Sequence, residues 1–209
     1  MAGDTADTPE TGRNRTHSQL SDAELADFLA GLSAVSRPLI CDWFRGSEAV
    51  EWKPDASPVT RADKAAETAL RAAIEARFPD DAILGEEHAA RPGSGKTGYS
   101  WVIDPIDGTR AFVCGRPVFG TLVGLVDGTT PVAGLIDMPM LDECYVGVGG
   151  KTVLNGAAAT TSQVTSLARA RIASTAPEAL LPDSLAAFNR MVDQAAITVY
   201  GGDLSLIHI

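Results

Sequence analysis

Asp104 and Asp107 stand three residues apart in the stretch Trp101-Val-Ile-Asp-Pro-Ile-Asp-Gly-Thr-Arg110. Trp101, Val102 and Ile103 are apolar and β-prone, which suits a short buried strand. Pro105 has no N–H to give to a ladder, so pairing is expected to stop at Asp104. Gly108-Thr109 should open a helix. Two carboxylates then leave one strand end together, beside outward-facing backbone N–H groups. Carboxylate oxygens hold hard cations such as Mg²⁺, and a helix N-terminus holds phosphate. The combination points to metal-assisted phosphoryl chemistry. The plainer reading is a turn and a helix cap, since Asp-Gly is a common turn pair and Asp a favoured N-cap. A second acid pair weighs against it. Gly85-Glu86-Glu87 also follows a short apolar run, Ala82-Ile83-Leu84. Two strand ends that each finish in paired acids repel one another unless a cation relieves them.

The elements that position these acids can be read in order. Residues 1–20 are polar, without the apolar run of a signal peptide, and are expected to form a disordered tail that includes His17. Ser21-Asp-Ala-Glu24 is a capping box. Leu25, Phe28, Leu29, Leu32 and Val35 follow at helical spacing, and Pro38 is expected to kink or break that helix. Glu51 to Ser57 should be a mobile loop or hairpin. Thr60-Arg-Ala-Asp63 caps a second helix with Ala65, Ala66, Leu70, Ala73 and Ile74 on its apolar stripe. Phe119–Val126 and Pro131–Asp137, joined by Asp127-Gly-Thr-Thr130, read as a hairpin. Asp142 to Gly149 adds a strand, and Asn155-Gly156 a tight turn. Ala170–Ser174 and Ile197–Tyr200 read as strands around a helix from Leu181 to Gln194, with Leu185, Phe188 and Met191 inward. Helices, then antiparallel strands, then αβ units imply a layered α/β fold.

Composition narrows the class. The 209 residues are 45% hydrophobic and 21% charged, ordinary for a globular protein. The net charge of −10 argues against nucleic acid or an anionic membrane as partner. No stretch approaches the length of a membrane span. Cys41, Cys114 and Cys144 have no metal spacing and suggest a reducing, cytoplasmic setting, with free cysteines as small buried apolar residues. Gly93-Ser-Gly-Lys-Thr97 is not a P-loop: Ala90 stands where the first glycine belongs, and a strand follows. His88 beside the acid pair is weak evidence for a soft metal site.

Gly85-Glu86-Glu87, then Trp101 to Thr109, with Ser57-Pro-Val-Thr-Arg-Ala-Asp63 upstream, resemble the inositol monophosphatase family of Mg²⁺-dependent phosphomonoesterases. The resemblance runs from about Leu25 to about Asp203. It implies an αβαβα sandwich: a metal-bearing α+β subdomain over 21–160 and the start of a C-terminal αβ subdomain over 161–203. By the same resemblance Glu86, Asp104 and the Ile106 carbonyl hold one Mg²⁺, and Asp104 and Asp107 share a second. Gly108 and Thr109 present N–H groups to phosphate. Asp63 pairs with Thr109 to orient the attacking water, Glu87 orients water beside the metals, and Lys53 is a candidate loop lysine. The substrate is a small phosphate monoester, and a homodimer is a candidate assembly.

Asp107 to Leu122 and Tyr200-Gly-Gly-Asp203 are closer to the bacterial histidinol-phosphate phosphatases of that family. Asp203 is the candidate partner for the substrate's cationic end, with helix capping as its structural alternative. An inositol or sugar phosphatase is the nearest rival reading, and a non-catalytic acidic binding protein on the same fold is a rival of another class. The family carries a further aspartate beyond this segment. Leu204-Ser-Leu-Ile-His-Ile209 instead resembles translated sequencing adapter, so 204–209 is expected to be an artefact and His208 no ligand. Apolar surface is then expected to lie bare along the last sheet.

Overall fold

The computed structural model describes residues 20–46, 50–52, 58–176 and 180–202. Helix α1 (Asp22–Cys41) starts at the predicted capping box, with Ser21 and Glu24 satisfying each other's backbone N–H. Pro38 does not end it; α1 runs on through Cys41. Ile40, fully buried beyond the proline, holds the last turn in place. Helix α2 (Arg61–Arg77) has a second capping box, from Thr60 and Asp63. Between them, β1 (Glu51–Trp52) and β2 (Pro58–Val59) pair as a small antiparallel hairpin. Lys53 lies outside the described residues.

A seven-stranded sheet supplies the platform, in the order β3 (Ala82–Gly85), β4 (Tyr99–Asp107), β5 (Gly120–Asp127), β6 (Thr130–Met138), β7 (Glu143–Val148), β8 (Lys151–Leu154), β9 (Ala157–Ala158). Only β3 and β4 are parallel; the rest is an antiparallel meander. The predicted β5–β6 hairpin and the Asn155-Gly156 turn are present, the turn with positive φ at both residues. The short β8 and β9 were not anticipated. Alternation along β4 sends Trp101 and Ile103 to one face, where both are buried. There they meet Leu25, Leu29 and Leu32 of α1 and Leu70 and Ile74 of α2 in one core. Burying each such side chain contributes roughly 1.5–3 kcal/mol. Phe78 packs against Trp101 with ring centroids 5.4 Å apart and edge-on to Phe28 at 5.0 Å. A second apolar cluster, Ile40, Ala62, Ala66, Ile106, Phe112 and Phe119, lies beneath the short helix α3 (Thr109–Val113).

The remainder is thinner. β10 (Arg171–Ser174) and β11 (Ile197–Tyr200) form a separate two-stranded parallel sheet, connected by α4 (Pro182–Val192). Leu185 and Phe188 are only half-buried and Met191 is exposed, so the inward face expected for α4 has little to pack on. Phe188 does meet the Tyr200 ring, at 6.2 Å. Ile197, Val199 and Tyr200 are each about half exposed, as expected of bare apolar surface along this sheet. Cys41 and Cys114 are exposed rather than buried. Among the described residues no helix is long and apolar enough to cross a membrane.

Arg37 fastens α1 to the sheet. Its Nε donates to both oxygens of Asp137 on β6 at 3.0 Å, and its Nη2 donates to Oδ1 at 2.8 Å. Asp137 is fully buried, and that burial pushes its carboxyl above the usual range against the pull of Arg37. Removing the guanidinium would strand a buried charge. Arg37→Met is therefore expected to lower unfolding free energy by about 3–5 kcal/mol, measured by urea denaturation; a loss no larger than for an exposed salt bridge would contradict this account.

Candidate active site

The parallel pairing of β3 with β4 sets the site. Its register places Gly85 opposite Ile103, so the residues that follow, Glu86 and Asp104, emerge side by side. The Glu86 N–H donates to the Ile103 carbonyl at 3.2 Å, extending the ladder one step past β3. β4 does not stop at Asp104 as expected. Its register slips between Asp104 and Asp107, with Pro105 inside the irregularity, and pairing resumes at Asp107 opposite Gly120. A bulge tolerates a residue that cannot donate. The Thr121 hydroxyl donates to the Pro105 carbonyl at 2.9 Å and fixes the bulge from β5. The bulge thereby carries a second carboxylate, Asp107, back toward the first.

Gly108 follows at φ 91°, a left-handed conformation that a side chain would strain, and caps the one-turn helix α3. The Thr109 hydroxyl donates to the Ile106 carbonyl at 3.1 Å. The expected Thr109–Asp63 pairing is thus replaced: Asp63 Oδ2 instead accepts from the Thr60 hydroxyl at 2.6 Å and the Thr60 N–H at 2.9 Å. The capping box of α2 competes for the same carboxylate. Asp63 nonetheless belongs to the cluster, because burial, with a smaller push from the charge of Glu86, raises its carboxyl above the normal range.

Asp104 is the most perturbed of these acids. Burial first, and then Glu86, Asp107 and Asp63, push its carboxyl up to about 8. Its Oδ1 is buried without a hydrogen-bond partner. Such an atom costs roughly 1–3 kcal/mol unless something fills the place. Hard oxygen donors crowded around an orphaned carboxylate oxygen fit Mg²⁺, which relieves both the repulsion and the missing partner. Among the described residues no three acid, histidine or cysteine side chains already converge as a closed metal cage. Mg²⁺ keeps several of its waters and needs only one or two carboxylates.

Of the remaining residues singled out in the sequence, Glu87 and His88 sit on the bend after β3. His88 turns toward α2, with Nε2 3.1 Å from the Thr68 hydroxyl and 3.2 Å from the Lys64 carbonyl. Asp203 lies outside the described residues, as do His17 and 204–209. One participant escaped the sequence reading. Glu67 of α2 is fully buried, and its carboxylate accepts from the Glu87 N–H at 2.7 Å, the His88 N–H at 3.2 Å and Arg71 Nε at 2.7 Å. The signal was available: Asp63 and Glu67 share a helical face with Ala66, Leu70 and Ile74, where charged side chains have no place unless paired. Gly85 makes room for it, since a Cβ there would fall 1.9 Å from Glu67 Oε1.

The fold is layered α/β with paired acids at adjacent strand ends, and the comparisons narrow it. Residues 22–190 match the inositol monophosphatase family, and the chain belongs to that family. It is 39% identical over 194 residues to the chloroplastic bifunctional phosphatase IMPL2 of Arabidopsis thaliana, covering 91% of this chain and 56% of that protein. It is 39% identical over 170 residues to a histidinol-phosphatase of Chlorobaculum parvum, covering 79% and 63% respectively. The chain thus spans less than two thirds of the length of these relatives. Among solved structures, an inositol monophosphatase from Zymomonas mobilis superposes with a TM-score of 0.72 at 35% identity, covering 88% of this chain and 71% of the other.

The raised Asp104 carboxyl fixes a sign. It stays protonated in the fold up to about pH 8 and ionises near 4 when unfolded. Folding then takes up a proton between those values, so stability falls as pH rises through that window. In EDTA the chain should lose stability as pH rises from 5 to 8, and Asp104→Asn should flatten that slope. Denaturation midpoints at the two pH values report it; equal slopes in both proteins would rule out Asp104 as the source.

Proposed function

We propose that the protein is a Mg²⁺-dependent phosphomonoesterase whose substrate is histidinol phosphate. The observation that carries the catalytic reading is the buried, unpartnered Asp104 Oδ1 held beside Glu86 and Asp107. Glu86, Asp104, Asp107 and the Ile106 carbonyl would hold the cation. Bound there, Mg²⁺ neutralises phosphate charge and lowers the barrier to attack by water. The chain's own groups do the rest. The Gly108 and Thr109 N–H groups receive the phosphate oxygens. The Thr109 hydroxyl, now directed at Ile106, turns to Asp63 and passes a hydrogen bond from the attacking water to that carboxylate. Glu87 orients neighbouring water.

The substrate reading leans on the resemblance of Asp107 to Leu122 and of Tyr200-Gly-Gly-Asp203 to the histidinol-phosphate type. Two relatives that carry the name histidinol-phosphatase, from Chlorobaculum parvum and Streptomyces coelicolor, are 39% and 36% identical to this chain. Histidinol phosphate bears an amine and an imidazole, and Asp203 is the acid we assign to them. The second reading is an inositol phosphatase, favoured by the likeness to the Zymomonas mobilis enzyme.

Phosphate release from histidinol phosphate and inositol 1-phosphate, each with Mg²⁺ and with EDTA, separates the readings. Turnover should need Mg²⁺ and favour the first substrate. Asp104→Asn and Glu86→Gln should each abolish it, at least a thousandfold, without unfolding the chain; activity within a few fold of the unaltered protein would sink the assignment. Asp203→Asn should weaken histidinol phosphate far more than inositol 1-phosphate, and an equal loss on both would make Asp203 structural.

A further inference from the structure

We infer that Glu67 is a positioning residue that sets the cation affinity of the Glu86–Asp104 site, an inference that rests on the metal reading above. Glu86 and Asp104 stand side by side, joined by the hydrogen bond from Glu86 N–H to Ile103 O at 3.2 Å and by a hydrogen bond between their carboxyl groups. Around a cation both groups would be carboxylates and would repel, and the bend after Gly85 is where Glu86 could swing outward. Glu67 opposes that motion. Its two carboxylate oxygens take the N–H groups of the next two residues, Glu87 and His88, at 2.7 Å and 3.2 Å. The backbone of Glu86 is therefore held from β4 on one side and from α2 on the other.

The anchor is itself fixed. Glu67 is fully buried, and Arg71, one turn along α2, pairs with its Oε1 at 2.7 Å while donating to the His88 carbonyl at 3.2 Å. A buried carboxylate with two backbone donors and a guanidinium cannot easily turn away. Gly85 completes the fit, because any side chain there would strike the Glu67 carboxylate and Arg71. Glu67 touches neither substrate nor cation in this arrangement. It acts through the loop, keeping the two carboxyl groups in place before the cation arrives, so that binding does not have to reorganise the bend.

Isothermal titration of Mg²⁺ into the whole chain tests this, with a thermal melt in EDTA alongside. Glu67→Gln keeps the shape but turns an amide N–H₂ toward the loop or Arg71, and should weaken Mg²⁺ binding about ten- to a hundredfold. Leu32→Ala, a core change in α1 away from the acids, should lower the melting temperature and leave Mg²⁺ binding within about twofold. Equal weakening in both variants would reduce Glu67 to general stability and overturn the inference. Glu86→Gln is the reference for the site. If it weakens binding while Glu67→Gln does not, the inference falls and the site reading stands. If Glu86→Gln binds Mg²⁺ as the unaltered chain does, the site reading fails and takes the inference with it. Should Glu67→Gln not fold, Gly85→Ala displaces the same carboxylate from the other side; an unchanged Mg²⁺ constant there also overturns the inference.

Discussion

The structure turns on the repulsion between carboxylates that the sheet forces together. Parallel pairing of β3 and β4 in the observed register brings Glu86 and Asp104 out side by side where the ladder ends. The bulge at Pro105 then folds Asp107 back toward them. Each step is ordinary strand geometry, and together they concentrate negative charge at one end of the sheet, beside the buried Asp63 of α2. Left alone, such an arrangement destabilises the fold. It persists because the hydrophobic core beneath it, from Trp101 and Ile103 to α1 and α2, is fixed independently of the acids. Local strain of this kind, held by surrounding structure, is the pattern expected where a protein must bind something.

Helix α2 serves both demands. Ala66, Leu70 and Ile74 bury against the sheet, while Asp63 and Glu67, on the same face nearer the N-terminus, reach the acid-bearing end. Asp63 closes its own capping box, so one carboxylate both starts the helix and joins the cluster. Glu67 carries the bend after β3. A charged pair inside a helix stripe looks like a flaw when judged by amphipathicity alone. Judged by where the stripe points, it is the polar end of a face that covers two strands and their termini.

Much of this was legible in the sequence. The capping boxes at Ser21 and Thr60, the β5–β6 hairpin, the Asn155-Gly156 turn and the acid clusters all follow from local rules, and local rules hold where neighbouring residues alone decide geometry. The departures share a cause. Pro38 and Pro105 are breakers in isolation, yet tertiary packing carries α1 past the first and a bulge absorbs the second. Asp63 and Thr109 were matched by resemblance, whereas closer partners in the chain, Thr60 and the Ile106 carbonyl, satisfy them here. Glu67 shows in the sequence as a charge on an apolar stripe with Arg71 one turn on, but its other partners are backbone N–H groups some twenty residues away, which no side-chain pattern encodes.

The acid-bearing end of the sheet and the segment from β10 to Gly202 differ in how they are held. The acids stand on a sheet whose central strands are buried on one face and packed under two helices. The segment from β10 to Gly202 has no such support, since α4 buries no residue and β11 leaves Ile197, Val199 and Tyr200 in the open. Among the described residues Arg116, just past α3, donates from Nη2 to the Gly201 carbonyl at 2.6 Å. Gly201 is at φ 81°, and a Cβ there would lie 2.9 Å from that same nitrogen. The contact therefore depends on a glycine. The acids rest on the sheet and α2, while Gly201 meets the exposed side chain of Arg116. Changes in that segment can then leave the carboxylates undisturbed, because the hydrogen bonds that fix the bend and the bulge come from α2 and β5.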